Sequence, residues 1–439
     1  MDPLDSWLPI TQSRNGNFFT ITSHMLCSGI GLQALLLPVS FISLGWVWGI
    51  ICLSLLFVWQ LYTIWLLVDL HESPTGTRFS RYVHLAIVAF GVKMGKLAAI
   101  FPTMYLSGGT CVLLIINGGG SLKLLYKTII NDDDHKGLTG AEWFLVFVCV
   151  AILVALFFPN LNSLASISVV GSLTGVAYCT ILWTLSVSKG RPQGVTYDEV
   201  STSKVDSFRD IANALALISL AFRGHNIILE IQGALPTNPK VPLRRRMWRG
   251  VLASYLLIAL CHFPLAIAGY WTYGNLVNQN GGILNAFEKF HQHDISKFVR
   301  GAIYMIIAIA CLCTYQIYAM PVLDNWERIY LTKKKMMMRC PRWVRIGLKV
   351  LFGGLTYLVS VAFPFLGSLA GFVGSIAMPL TLAYPCFMWI AMKKPRPYSF
   401  VWCVNMGLGC LGMLMCTVLA TATLWSLIAN GLQANFFNP

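Results

Sequence analysis

Residues 208–232 read FRDIANALALISLAFRGHNIILEIQ, a run long enough to cross a bilayer, whose hydrocarbon core takes roughly 20 residues of helix. Its middle holds Arg223, Gly224, His225 and Asn226. A charge at that depth costs about 2.5–3.5 kcal/mol on insertion scales, so an ionisable cluster inside a span marks a functional site before it marks a lipid-facing surface. This stretch predicts a polytopic membrane protein that moves a polar solute.

The rest of the chain agrees with that reading. It is 439 residues long, 56% apolar and only 11% charged, with a mean hydropathy of +0.66, whereas about 25% of the residues of soluble domains are charged. Eleven stretches qualify as spans, near 18–43, 46–70, 97–122, 141–159, 164–188, 208–232, 250–273, 298–323, 346–364, 367–391 and 400–430. They are long and continuously apolar, which predicts an all-α fold and not a barrel of short alternating strands. One transmembrane domain is expected over 18–430, with short tails at 1–17 and 431–439.

Lys and Arg set the expected orientation. With the N-terminus in the cytoplasm, the inner segments carry 21 and the outer segments 10 of the 32 basic residues, Arg223 being the remaining one. An odd number of spans then places the C-terminus outside. The formal charge of +15 sits mostly beside anionic headgroups, so the bilayer is the expected partner and no nucleic acid is called for. Twelve of the 13 cysteines fall in spans and Cys340 in an inner loop, which predicts no extracellular disulfide and no zinc site. The polar start lacks the pattern of a cleaved signal peptide.

Helix breakers locate the expected site. Residues 28–38, SGIGLQALLLP, put Gly29 and Gly31 in mid-membrane, and the sixth span has Gly224 at its middle. Interrupted segments at corresponding places in two halves point to a transporter built on inverted repeats. The repeats would cover about 18–188 and 208–391, with 400–430 as an extra helix. Tight glycine packing between spans is the plain structural alternative. A half-helix starting near Gln33 would offer its amide end to a carboxylate, and one ending near Phe222 its carbonyl end to a cation. A zwitterion satisfies both.

Several stretches carry a family resemblance: AFRGHNIILEIQGALPTNPKVPLRRRMWRGV at 221–251, CHFPLAIAGYWTYGN at 261–275, YQIYAMPVLD at 315–324, FPFLGSLAGFVGS at 363–375 and SKGRPQGVTY at 188–197. The chain resembles, from about residue 17 to 430, the lysine/histidine transporter-like group of the plant amino acid/auxin permease family, within the amino acid–polyamine–organocation superfamily. The resemblance implies eleven transmembrane helices in a LeuT-like 5+5 inverted repeat plus one, a plasma-membrane location, and proton-coupled import of amino acids by alternating access. No cofactor is implied; protons are the coupling ion.

Carried over by position, the resemblance places Gly29 and Gly31 in the broken first span, where backbone amides would hold a substrate carboxylate. Ile30, Gln33, Phe222, Arg223 and Asn226 are further candidate substrate contacts read from the residues around the two breaks, Gln33 standing where the family more often has a small residue. Tyr105 and Tyr315 lie on helices that would line the pocket, as do Ser107, Asn117, Thr314 and Gln316. His225 is the proton-coupling candidate, since a histidine changes charge near neutral pH; its alternative is a neutral ring holding the unwound backbone. Glu230, about 140° further round a regular helix, is a second proton-handling candidate near the inner end. Asp69, Asp324 and Glu327 are expected at inner ends within reach of water. Arg223 stands where the family usually has a small residue and favours neutral or acidic amino acids by pairing with a carboxylate; its alternative is a partner on another helix. Three other readings stay open: an auxin-like carboxylate as cargo, a receptor that binds without transport, and a membrane enzyme using His225 and Glu230, which helical geometry disfavours.

Overall fold

The computed structural model describes residues 14–73, 77–130, 137–158, 164–198, 204–237, 241–278, 281–334, 340–364 and 366–431. The expected tails lie largely outside these, at residues 1–13 and 432–439. The described residues form helices: α1 Phe18–Gly29, α2 Leu32–Leu70, α3 Tyr82–Phe90, α4 Val92–Ile130, α5 Gly140–Phe157, α6 Ala165–Lys189, α7 Lys204–Ala221 and α8 Ile228–Gly233. They continue with α9 Leu243–Tyr273, α10 Gly282–His291, α11 Lys297–Lys334, α12 Arg342–Ala362, α13 Leu366–Met378, a π-helical turn Pro379–Ala383, α14 Tyr384–Lys393 and α15 Phe400–Gly431. Among the described residues the only β pairing is two isolated bridges.

Nine of these helical stretches are long and apolar enough to cross a membrane. Three of the pieces that flank the two breaks fall short: α1 has 12 residues and α8 six, and α7 carries Lys204, Asp206, Arg209 and Asp210. The expected boundary between the first two spans, after 43 and before 46, coincides with a bend inside one long helix. The outer part of the first and all of the second form α2, in which Gly45 alone, at φ 67° and ψ −174°, leaves helical geometry. An L side chain there costs about 1–2 kcal/mol, which is why glycine occupies it. The short helices α3 and α10 fall in segments read as plain connections.

Local chemistry fixes several helix starts. Asn17 accepts from the Thr20 amide at 2.9 Å while Thr20 Oγ1 accepts from the Asn17 amide at 2.7 Å. Thr139 and Glu142 form the same reciprocal box at the head of α5, satisfying amides that a helix start leaves open. In the centre, α11 lies along α4 and α6, and α2 along α7 and α9. Gly171 of α6 makes one close crossing, because a Cβ there would meet Cys27 Sγ of α1 and come within 2.7 Å of Cys313 Cβ of α11. Such small-residue contacts replace the hydrophobic drive that lipid cannot supply. All thirteen cysteines are free thiols.

Candidate functional site

Both helix breaks are present, and they meet. Ile30 and Gly31 are extended between α1 and α2, at φ −94° and −145°. Residues 222–227 are non-helical between α7 and α8, with Gly224 at φ 155°, a conformation that side chains rarely adopt. Every residue from Phe222 to Gly233 is buried.

The freed backbone groups are not treated alike. The four last carbonyls of α1 are taken: Leu26 by the Ile30 amide, Cys27 by Thr314 Oγ1 at 2.9 Å, Ser28 by Tyr318 Oη at 3.0 Å and Gly29 by Gln33 Nε2 at 2.6 Å. In the other break Tyr255 Oη donates to the Phe222 carbonyl at 2.8 Å and Gln60 Nε2 to that of Ser219 at 2.6 Å. The carbonyl end expected near Phe222 to face a cation is therefore partly occupied by side chains, because neighbouring helices supply donors that sequence spacing does not reveal. The amide end of α2 differs. No side chain caps it at Gly31, so its first amides and the positive end of the helix dipole remain directed into the break.

Arg223 faces that end. It is 1% exposed, its Nε donates to Tyr318 Oη at 2.8 Å, and its guanidinium lies 4.7 Å from the Tyr318 ring centroid. Neither Nη1 nor Nη2 has a partner among the described residues. A Cβ on Gly31 would sit 3.2 Å from Arg223 Nη2 and 2.6 Å from Gln33 Oε1. Gln33 Oε1 and Asn226 Oδ1 are buried acceptors without partners among the described residues. Two open guanidinium nitrogens and the open Gln33 Oε1 thus lie at the crossing of the breaks, with Asn226 Oδ1 a further open acceptor of the second break, and leaving such groups unpaired costs free energy that a complementary solute would recover.

The remaining expected residues separate into groups. Asn226 Nδ2 donates to Ser107 Oγ at 2.9 Å, tying the break to α4. His225 Nε2 lies 2.9 Å from Thr63 Oγ1 of α2, with Nδ1 unpartnered among the described residues. Glu230 is 6% exposed and shares a cleft of about 20 Å³ with Asn226, Arg81 and Asp324, room for about one water. Tyr105 and Tyr315 are not brought to the breaks. Tyr105 stacks on Phe101 at 5.7 Å and meets Phe372 of α13 edge-on at 6.1 Å, while Tyr315 packs between Phe147 and Phe352 with its hydroxyl 3.3 Å from Thr356 Oγ1. Asn117, Thr314 and Gln316 serve contacts between helices.

Of the acids expected within reach of water, Asp324 and Glu327 are instead buried, and Asp69 is partly covered by its partners. Asp324 pairs with Arg81 at 2.7 Å, Glu327 with Arg345 at 3.0 Å, and Asp69 with Arg244 and, at 3.1 Å, with Lys393. The basic residues of this end fold over them, which spacing along one helix does not predict. His71, just past α2, is buried beside this cluster; burial first, then Arg78 and Arg14, pushes its pKa down to about 3.

With this geometry in place, comparison with known proteins decides the family. The transmembrane amino acid transporter protein family matches residues 14–428. The chain belongs to that family. This transmembrane amino acid transporter family member is 45% identical to lysine histidine transporter-like 8 of Arabidopsis thaliana, over all of this chain and 84% of the relative. It is 48% identical to lysine histidine transporter-like 7 of the same plant, over all of this chain and 90% of the relative. Among solved structures it shares its fold with a Na⁺-coupled sialic acid symporter in a substrate-bound outward-open state, at a TM-score of 0.59 and 10% identity, covering 97% of this chain and 92% of the other. Neighbours of this kind are LeuT-fold transporters. The chain is thus a multi-pass membrane protein of a transporter family, and its relatives are named as transporters, in keeping with a protein that is not an enzyme.

For this family member, sequence reasoning missed Tyr318 and Tyr178. Tyr178 Oη of α6 donates to the Gly31 carbonyl at 2.7 Å. Tyr318 carried one available signal: it stands three residues after Tyr315, on the same side of α11, and only one of the two tyrosines reaches the break.

Proposed function

We propose that this chain is a proton-coupled importer of amino acids, neutral or acidic in preference, working by alternating access. One observation carries the reading: the buried Arg223 guanidinium presents two nitrogens, Nη1 and Nη2, unpartnered among the described residues, beside the uncapped amide end of α2. A carboxylate completes both, and the open acceptors Gln33 Oε1 and Asn226 Oδ1 suit an ammonium group. An auxin-like acid would use only the first half. The names of the relatives, which include a GABA transporter and an amino acid permease of Arabidopsis thaliana, support amino acids as the cargo.

In this reading eleven helices cross the plasma membrane, with the N-terminus cytoplasmic, the C-terminus outside, repeats over 18–188 and 208–391 and 400–430 appended. The substrate contacts are Gly29, Ile30, Gly31, Gln33, Phe222, Arg223 and Asn226. His225, on α2 through Thr63, takes up the coupling proton, and Glu230 passes it toward Arg81 and Asp324 at the cytoplasmic end. A proton entering down 100 mV contributes about 2.3 kcal/mol, enough for roughly fifty-fold accumulation of a neutral zwitterion.

The test is uptake into proteoliposomes with an imposed pH gradient, a sodium gradient or neither. Concentrative uptake of amino acids under the pH gradient alone is expected. Binding without flux would make the protein a receptor, and accumulation driven only by sodium would remove the proton from the mechanism.

A further inference from the structure

We infer that Tyr318 sets the specificity of the site by fixing how Arg223 meets a carboxylate. This inference rests on the carboxylate reading above and adds a residue on α11 that belongs to neither break. The hydrogen-bond directions are determined by chemistry. Arg223 has only donors, the Ser28 carbonyl can only accept, and a phenol has one proton. Tyr318 Oη therefore gives its proton to Ser28 at 3.0 Å and receives the Arg223 Nε proton at 2.8 Å.

That arrangement consumes the Nε side of the guanidinium. A carboxylate can be gripped through Nε with one Nη, or end-on through both Nη groups. With Nε held by Tyr318 and the group stacked 4.7 Å from the same ring, only the end-on edge is left, and its Nη2 lies against Gly31. Tyr318 is fully buried, so water does not compete for its hydroxyl. Through this one side chain the end of α1, the break after α7 and α11 share a single geometry. Tyr318 is a positioning residue: it does not contact the solute in this account but acts through Arg223.

The experiment measures binding by ligand-induced heat stabilisation of the detergent-purified full chain, which reads out even where flux is absent. The best-binding amino acid from a panel of twenty is compared with its carboxamide, which keeps the ammonium and loses the charged carboxylate. In wild type the acid is expected to bind far more tightly than the amide. Tyr318→Phe keeps the ring and removes the hydroxyl; the acid should weaken about tenfold, in keeping with a charge-assisted bond, and the amide by less than twofold. On an Arg223→Gln background Tyr318→Phe should add less than twofold.

The inference is overturned if acid and amide weaken together, if neither changes, or if the effect persists in full without Arg223. Should Tyr318→Phe not fold, Arg223→Lys decides: the three donors of an ammonium diverge from one nitrogen and cannot meet the phenol while presenting a planar fork to both carboxylate oxygens, so wild-type affinity in that variant overturns the assignment. Failure of uptake in proteoliposomes would sink the transport reading while these binding ratios still stand or fall by themselves. A wild type that favours no acid over its amide sinks both.

Discussion

At Arg223 the chain keeps a permanent charge with no carboxylate beside it among the described residues, an arrangement that is costly unless something anionic arrives. Arg223→Gln should therefore weaken binding of amino acids by about 2 kcal/mol or more, roughly thirty-fold, while barely moving their carboxamides, as titration by heat stabilisation would read. Gly31 gives an independent check. At φ −145° any residue fits its backbone, yet a Cβ would enter the space between Gln33 Oε1 and Arg223 Nη2. Gly31→Ala is expected to raise the KM for uptake about tenfold, in line with overpacking costs of about 1–3 kcal/mol, with no loss of folded protein on size-exclusion chromatography. His225 belongs to the proton. His225→Gln should abolish accumulation driven by a pH gradient and preserve exchange of labelled for unlabelled substrate, and accumulation at the wild-type level would assign the proton elsewhere.

At the scale of elements, the interruptions were legible because glycine and charge inside an apolar run leave few alternatives. SGIG at 28–31 and RGHN at 223–226 are the residues where α1 stops and where the segment after α7 unwinds. Their partners were not legible. Tyr178 reaches Gly31 across 147 residues of chain and Tyr318 reaches Arg223 across 95, and no local pattern encodes which of many buried hydroxyls will arrive. For the same reason the carbonyl end near Phe222, read as open, is partly capped by Tyr255 and Gln60. Helices α3 and α10, of nine and ten residues, were hidden because they are shorter than a span and sit among polar residues. Gly45 falls in the two-residue gap between the first two expected spans. Gly45→Ala should lower stability by about 1–2 kcal/mol through its positive φ, visible as an earlier midpoint in thermal unfolding of the purified protein.

On the scale of the whole molecule, the breaks lie between two closures of different chemistry. The basic end is held by ion pairs, Arg81 with Asp324 buried on both sides, Arg345 with the buried Glu327, and, nearer the surface, Arg244 and Lys393 with Asp69. Beside the Gly45 bend of α2 and the C-terminal end of α9, Trp46, Tyr270 and Tyr197 pack at 4.8–5.9 Å, and Arg191 lies 4.5 Å from the Trp271 ring. This second closure explains part of the SKGRPQGVTY motif, whose Tyr197 hydroxyl also donates to the Trp271 carbonyl at 2.6 Å. Breaking a buried pair by removing one partner typically costs about 3–5 kcal/mol, so Asp324→Asn should bias the protein toward opening at the basic end. Labelling of a cysteine introduced at Asn226 by a membrane-impermeant reagent applied from that side should become faster; an unchanged rate would separate the ion pair from gating.

Gly45 also limits how the protein can move. With one residue joining the helical stretches 32–44 and 46–70, the connection holds no slack, and a tilt of either stretch tugs the other along at once. Lengthening that joint by a few flexible residues should leave the crossing of the breaks intact yet decouple them, giving a protein that still captures its cargo but turns over slowly.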